Sequence, residues 1–168
     1  MRIADLVESE NSPWFVLVRL AVGFVFLTEG LNKFVNPGER GAGRFADLGF
    51  PAPELVAGSV AVLEIVGGAL LLVGLLSRLA ALLLAIAALH AILLTKIPVL
   101  LGTPIGPFVG VSQEFTGLWG FLYAWRLDFT MFVTSVFVLI VGPGEWSLDH
   151  RLADRSDVLG RTVRALGV

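Results

Sequence analysis

Four long apolar stretches, separated by short polar or glycine- and proline-rich connections, dominate the hydrophobic pattern of this chain. They cover residues 14–35, 55–76, 79–97 and 118–141. Each approaches or exceeds the ~20 residues with which a helix crosses a hydrocarbon core about 30 Å thick. Lipid offers the backbone no hydrogen-bond partners, so only helices and closed barrels span membranes, and runs of this length suit helices. The pattern predicts an all-α integral membrane protein, a bundle of four spanning helices.

The connections between the stretches indicate the topology. Only Ser77 and Arg78 separate the second and third stretches, so these must form an antiparallel helical hairpin. Pro98 is predicted to end the third span. Residues 98–117 are apolar but rich in proline and glycine, which excludes a regular spanning helix. We expect them to cap the bundle at the interface or, alternatively, to form a lid or wall for a hydrophobic ligand.

The domain organisation follows from the short length of the chain. Four spans use nearly all 168 residues, so we expect one four-span domain over residues 1–150. Residues 151–168 form an amphipathic tail, predicted to lie on anionic lipid or to dock a soluble partner. Six Lys and Arg residues fall on the side of the termini and five on the other side. This small bias predicts cytoplasmic termini.

Composition supports a membrane protein and excludes several kinds of site. The chain is 56% hydrophobic and 15% charged, with a mean hydropathy of +0.85, whereas soluble domains are about 25% charged. It has no cysteine and only two histidines, which argues against a thiolate-held cluster, bis-histidine haem or a multi-histidine metal site. No basic cluster suggests a nucleic-acid partner. We therefore predict no covalently bound cofactor and no metal.

Charged and titratable residues lie inside the apolar stretches, where lipid should exclude them. A charge near the bilayer centre costs roughly 2.5–3.5 kcal/mol, so it needs a partner or a function. With about 1.5 Å of helical rise per residue, five such residues from four predicted helices fall near one depth in the outer half of the bundle. They are Glu29, Glu64, His90, Arg126 and Asp128.

These five residues are the candidates for binding a ligand or exchanging protons. Arg126 is the only fixed positive charge at their level, so we expect it to pair with Glu29 or Asp128. This pairing would leave Glu64 and His90 free. An apolar quinone ring with two carbonyl oxygens would suit such a site, with its tail leaving along residues 98–117.

Structural alternatives exist for the same side chains. Glu29 and Lys33 are i,i+4 neighbours that would neutralise each other, and His90 would serve as a hydrogen-bonded packing residue. Arg19 is shallow enough to stabilise the inner end of the bundle. We predict that it pairs with Asp149 or caps the carbonyl groups around residues 142–144. Small residues beside Arg19 and Glu64 indicate that the charged faces are also the packing faces.

Three sequence blocks occur in the order that a known family shows. The first span contains Arg19-Leu20-x-x-Gly23-x-x-Phe26-x-x-x-Gly30-x-x-Lys33-Phe34. The second block comprises Glu64-x-x-Gly67-Gly68, then Gly74-Leu75 and Arg78-Leu79-Ala80-Ala81. The third follows the last span, as Gly142-Pro143-Gly144-x-x-Ser147-Leu148-Asp149. Together they resemble the DoxX family of small four-span bacterial membrane proteins.

This resemblance implies a link to redox physiology in the bacterial inner membrane. Members of the family include the small subunit of a thiosulfate:quinone oxidoreductase and a membrane anchor in an oxidative-stress complex. The resemblance therefore implies an accessory or anchoring subunit of an oxidoreductase that binds quinone. No motif resembles a catalytic centre, so an autonomous enzyme is not indicated.

Two other functions are consistent with the residues. The first is a proton-coupled or small-molecule transport module, for which so short a chain would need to form a homodimer. The second is a membrane chaperone or scaffold without ligand, in which the buried charges only join helices.

Overall fold

The computed structural model describes residues 13–103 and 116–154, and within these ranges the secondary structure is helical with no strand. Four helices are long and apolar enough to cross a membrane, which confirms the predicted all-α bundle. The helical elements are α1 (Phe15–Val35), α2 (Ala42–Asp47), α3 (Pro53–Val73), α4 (Ser77–Ala91), a π-helical turn (Ile92–Lys96), α5 (Ile97–Leu101) and α6 (Gly117–Val141). Residues 1–12, 104–115 and 155–168 lie outside the described part, including most of the predicted cap and tail.

Local sequence accounts for the tight turn between α3 and α4. Proline at the first position starts α3, and Gly74 ends it in the left-handed conformation at φ +75°. The backbone N–H groups of Gly74 and Leu75 both donate to the carbonyl of Leu70, at 2.8 and 3.0 Å, which satisfies the last turn. Leu76 also has positive φ, at 49°. Its N–H donates to a carboxylate oxygen of Asp149 at 2.8 Å, which helps to hold that unusual conformation.

The third spanning helix does not end at Pro98, so that prediction is wrong. Helical structure continues from Ser77 to Leu101, with the π-helical turn before α5. Pro98 lies in the first turn of α5, where a backbone N–H would have no hydrogen-bond partner within that helix, so its absence costs nothing. The wider turn absorbs the proline, and the helix instead stops at Gly102, which has φ +66°.

The four spanning helices associate as two close pairs. α1 packs mainly on α3, and α4 mainly on α6, while smaller contacts join α3 to α4 and α1 to α6. Glycines allow the first pair to approach closely. A Cβ atom on Gly30 would lie 2.8 Å from the carbonyl oxygen of Ala61, and one on Gly68 would lie 2.7 Å from that of Gly23. The predicted small-residue face of α1 and α3 is therefore their packing face.

The two pairs pack closely at the end of the bundle where α1 begins and α6 ends, which we call the terminal end. The buried apolar core joins α1 and α3 to α4 and α6 through residues such as Val22, Leu71, Leu84 and Val138. The Phe15 and Phe137 rings add an edge contact, 5.4 Å between centroids. At the opposite end, the loop end, the pairs diverge. Many large apolar side chains on the outside are exposed, as lipid-facing residues must be.

Candidate functional site

A cavity of about 720 Å³ occupies the loop end, between the two helix pairs and beneath α2. All five candidate residues predicted from the sequence line it, together with both membrane lysines. Its polar lining is Glu29, Lys33, Glu39, Arg40, Arg44, Glu64, His90, Thr95, Lys96, Tyr123, Arg126 and Asp128. Its apolar walls include Phe45, Leu48, Phe50, Val56, Val60, Leu94, Leu127 and Met131. The cavity thus combines a polar interior with apolar surfaces suited to an amphiphilic or lipid-soluble ligand.

The first ion pair in the cavity joins α1 to α3. Lys33 Nζ lies 2.5 Å from Glu64 Oε2, and the two side chains are only 13% and 9% exposed. Lys33 Nζ also lies 3.5 Å from the backbone carbonyl oxygen of Glu29. Lys33 therefore neutralises Glu64 rather than the Glu29 carboxylate, and the predicted i,i+4 pair does not form.

The second ion pair joins the third spanning helix to α6. Lys96 Nζ lies 3.3 Å from Asp128 Oδ2, with the side chains 12% and 21% exposed. Lys96 is the last residue of the π-helical turn. The wider turn changes the direction of the residues that follow it, and such turns are frequent at functional sites. Each helix pair therefore carries its own lysine–carboxylate bridge facing the cavity.

Two predictions about pairing are wrong for one reason. Arg126 pairs with neither Glu29 nor Asp128, and Glu64 is not free. The depth estimate followed the backbone and placed both lysines beyond the acidic residues. A lysine side chain has four methylene groups and reaches back along the helix, so Lys33 and Lys96 meet acids more than one turn deeper.

The remaining predicted residues form the exposed rim of the cavity. The Arg126 guanidinium lies over the Tyr123 ring, 4.0 Å from its centroid, in a cation–π contact. His90 is exposed, and its Nδ1 lies 2.8 Å from the backbone carbonyl of Ile86. In a neutral imidazole that donates from Nδ1, Nε2 is the acceptor. Glu29 is half-buried and its carboxylate makes no ion pair within the described ranges.

Sequence reasoning missed the segment that covers the cavity. α2 follows α1 after a short turn and brings Arg40, Arg44, Phe45, Leu48 and Phe50 to the cavity wall. The signal was present, because apolar residues at positions 45 and 48 have helical spacing beside basic ones.

Arg44 is the most constrained of these residues. Burial lowers the pKa of its guanidinium, the positive charge of Arg40 lowers it further, and Asp128 and Glu29 act in the opposite direction. Arg44 thus lies where its own charge is poorly solvated, between a like charge and two acids of the cavity.

Comparison with known proteins identifies the family. The DoxX family model matches residues 15–97. The chain is 44% identical over 155 residues to an uncharacterized membrane protein, Rv3486, of Mycobacterium tuberculosis (strain ATCC 25618 / H37Rv), covering 92% of this chain and 91% of that protein. The chain belongs to the DoxX family.

A more distant relative carries a functional name. The chain is 28% identical over 135 residues, 80% of its length, to the Bacillus subtilis (strain 168) protein named "Putative oxidoreductase CatD", of which 83% is covered. No solved structure matches the chain significantly. The DoxX match includes three of the four residues of the lysine–carboxylate bridges, Lys33, Glu64 and Lys96. Asp128 lies beyond it.

The third block of the DoxX resemblance forms the terminal end of the bundle. Arg19 is 2% exposed, and its Nη2 donates to the backbone carbonyl of Trp146 at 2.7 Å. Asp149 accepts from the backbone N–H groups of Leu76 and Ser77, at 2.8 and 2.9 Å. The described residues contain no direct Arg19–Asp149 ion pair. The predicted alternative, capping of a carbonyl group by Arg19 in this region, occurs at Trp146.

Within residues 13–103 and 116–154, no three His, Cys, Asp or Glu side chains are grouped so that they could hold a metal ion. The cavity carboxylates of Glu64 and Asp128 face lysines instead.

Proposed function

We propose that this DoxX protein is a membrane subunit of an oxidoreductase system and holds a quinone in the loop-end cavity. The cavity itself carries the proposal, because hydrogen-bond donors and apolar walls line one space of about 720 Å³. Ligand pockets typically measure about 300–1,000 Å³ and combine apolar surfaces with few polar groups. A quinone offers two carbonyl oxygens as acceptors and an apolar ring and tail, so it matches this lining.

Two features support a redox carrier held by an accessory subunit. The name of the Bacillus subtilis relative describes an oxidoreductase. The absence of cysteine from the sequence leaves this chain without thiol redox chemistry of its own. Electrons would therefore pass through the bound carrier and a partner subunit. In our proposal the termini are cytoplasmic and the cavity lies in the outer half of the bacterial inner membrane.

Within the cavity, the charged pairs fix the polar groups before a ligand arrives. Lys33 and Lys96 each retain donor hydrogens beyond the bond to their carboxylate. They lie on different helix pairs, so they approach the cavity from two sides. A ring with oxygens at opposite ends would accept from both, and exposed His90 at the rim would exchange protons with it.

The test is quinone binding by the purified protein and a cavity-filling variant. Ala91 lines the cavity, whereas Ala69 on α3 is exposed and outside it. We expect Ala91→Phe to weaken the affinity for a short-chain quinone at least about tenfold, since it occupies the ligand volume. Ala69→Phe, the matched control, should leave affinity unchanged. Binding is followed by tryptophan fluorescence.

A second variant tests the polar groups. Glu64→Gln combined with His90→Ala should reduce quinone affinity and quinone-linked reductase activity of membranes. Unchanged binding in both the double variant and Ala91→Phe would refute the proposal. Organic extraction of the purified protein should also release quinone, and an oxidoreductase subunit should copurify from gently solubilised membranes.

Proton-coupled transport is a second candidate because Glu29 lines the same cavity without an ion pair in the described part of the chain. A carboxylate in this position can carry a proton. Uptake driven by a proton gradient in liposomes, lost in Glu29→Gln, would favour it over quinone binding. A pure scaffold has no use for a cavity and receives less support.

A further inference from the structure

The cavity contains more positive charge than its own carboxylates neutralise. Its lining holds five Lys and Arg residues and four Asp and Glu residues. Lys33 and Lys96 are paired with Glu64 and Asp128. Two carboxylates, those of Glu29 and Glu39, and three guanidinium groups remain, an excess of one positive charge, and none of the three guanidinium groups lies within ion-pair distance of a carboxylate in residues 13–103 and 116–154. They belong to Arg40, Arg44 and Arg126.

Arg40 and Arg44 differ from Arg126 in their surroundings. The Arg126 charge is placed against the Tyr123 ring. Arg40 and Arg44 line the same cavity without an ion pair in the described residues, and the pKa of Arg44 is lowered by burial and then by the charge of Arg40, which Asp128 and Glu29 offset only in part. An anion bound between the two guanidinium groups would relieve the repulsion that is left. A neutral quinone would not relieve this repulsion.

We propose that Arg40 and Arg44 form a phosphate-binding site at the mouth of the cavity, which takes the headgroup of an anionic phospholipid. Guanidinium groups bind phosphate oxygens in bidentate fashion, with charge-assisted hydrogen bonds. The site lies just beyond the last turn of α1, at the depth where helix ends meet lipid headgroups. Phe45, Leu48 and Phe50, on the same segment, give an acyl chain an apolar path.

This site is separate in chemistry from the proposed quinone site. It needs two cations and an apolar flank, and it uses neither lysine–carboxylate bridge. The phosphate could also come from solution, since free phosphate presents the same oxygens. The experiment therefore has one arm for the lipid and one for the free ion.

The lipid arm uses native mass spectrometry of the full chain in nanodiscs containing phosphatidylglycerol in phosphatidylcholine. We expect the wild-type protein to keep phosphatidylglycerol bound when it is released from the nanodisc in the mass spectrometer. The double variant Arg40→Gln, Arg44→Gln should bind it at least about tenfold more weakly, because two charge-assisted contacts are lost. Arg151→Gln is the matched control, since it removes one exposed arginine at the terminal end, outside the cavity. Arg44→Lys keeps the positive charge but loses the planar guanidinium that binds phosphate in bidentate fashion. Its affinity for phosphatidylglycerol should lie between those of the wild type and the double variant.

The second arm measures thermal stabilisation of the detergent-solubilised protein by inorganic phosphate. Stabilisation of the wild type but not of Arg40→Gln, Arg44→Gln, with no preference for phosphatidylglycerol, would support the site and identify the free ion as its ligand. Equal binding of both probes by wild type and double variant would overturn the proposal, provided both variants elute as folded protein.

Two further carboxylates, Glu29 and Glu39, line the cavity without an ion pair in the described residues. If the wild type binds neither probe and the double variant Glu29→Gln, Glu39→Gln binds phosphate, these carboxylates already neutralise the guanidinium groups. That result would also overturn the proposal. Ala91→Phe, which fills the cavity without removing a cation, tests quinone binding on the same preparations, so the two proposals fail separately.

Discussion

Removing one partner of the Lys33–Glu64 pair should destabilise the bundle more than removing both. The two side chains are 13% and 9% exposed and their charged atoms lie 2.5 Å apart. Lys33→Met leaves a carboxylate without its cation, and Glu64→Met leaves an ammonium without its anion. The double variant leaves neither charge, and two methionines occupy a similar volume.

The size of the loss follows from two limits. Breaking one side of a buried ion pair costs about 3–5 kcal/mol. A buried group left without its partner can also become neutral by gaining or losing a proton. The cost of that step sets an upper limit on the loss of unfolding free energy. At pH 7, protonating a carboxyl group of ordinary pKa near 4.3 costs about 3.7 kcal/mol, and deprotonating a lysine of pKa near 10.4 costs about 4.6 kcal/mol. We therefore expect each single variant to lose about 3 kcal/mol and the double variant about 1 kcal/mol or less.

Equilibrium unfolding in mixed detergent and dodecyl sulfate micelles, followed by tryptophan fluorescence, measures these values. Glu54→Met is the matched control, because Glu54 is an exposed acid on the same helix and outside the cavity. Its unfolding free energy should change by no more than about 0.5 kcal/mol. Losses that simply add in the double variant would show that the pair contributes no coupling and would refute this reasoning.

Three further predictions concern single positions. Gly30→Ala should cost about 1–3 kcal/mol because its Cβ would meet the backbone of α3, whereas Gly58→Ala, with open space around it, should stabilise by about 0.5–1 kcal/mol in the same unfolding assay. Equal effects would contradict close α1–α3 packing. Gly74→Ala and Gly102→Ala both place a side chain at positive φ, costing about 1–2 kcal/mol. At Gly74 the new Cβ would also collide with the buried guanidinium of Arg19, whereas at Gly102 it would meet open space. The Gly74→Ala variant should therefore have the lower melting temperature of the two. Identical melting temperatures would count against the contact with Arg19. Arg44→Met should stabilise the ligand-free protein by about 0.5–2 kcal/mol, since burial disfavours the charge. Arginine keeps its proton throughout pH 5–9, so this gain should be constant over that range, and a gain that varies with pH would point to another group.

The all-α bundle could be predicted because its signals are local. Runs of apolar residues give the spanning helices, and small residues beside Arg19 and Glu64 give the packing faces. Pro98 shows the limit of such signals. Whether a proline ends a helix depends on the turn before it, and a π-helical turn leaves no mark in the hydrophobic pattern.

The residues of the cavity could be predicted, but their partners could not. Depth along a helix placed the five candidates near one level, and they line one cavity. Pairing depends on side-chain reach and on neighbouring helices, which is why Lys96 pairs with Asp128, one of the two acids expected for Arg126, and Lys33 pairs with Glu64, which was expected to be free. Their role in binding remains a prediction. α2 was missed because a helix of six residues gives only a weak periodic signal, here the spacing of the apolar residues at positions 45 and 48.

The position of the two lysine–carboxylate bridges has a consequence for how the molecule opens. Each bridge lies within one helix pair, Lys33 to Glu64 and Lys96 to Asp128, so neither resists separation of the pairs. The contacts that hold the pairs together lie at the other end, among them the Arg19 bond to Trp146. Backbone amides should therefore exchange with solvent deuterium sooner at the loop end than at the terminal end, and the loop end should be the first part to unfold.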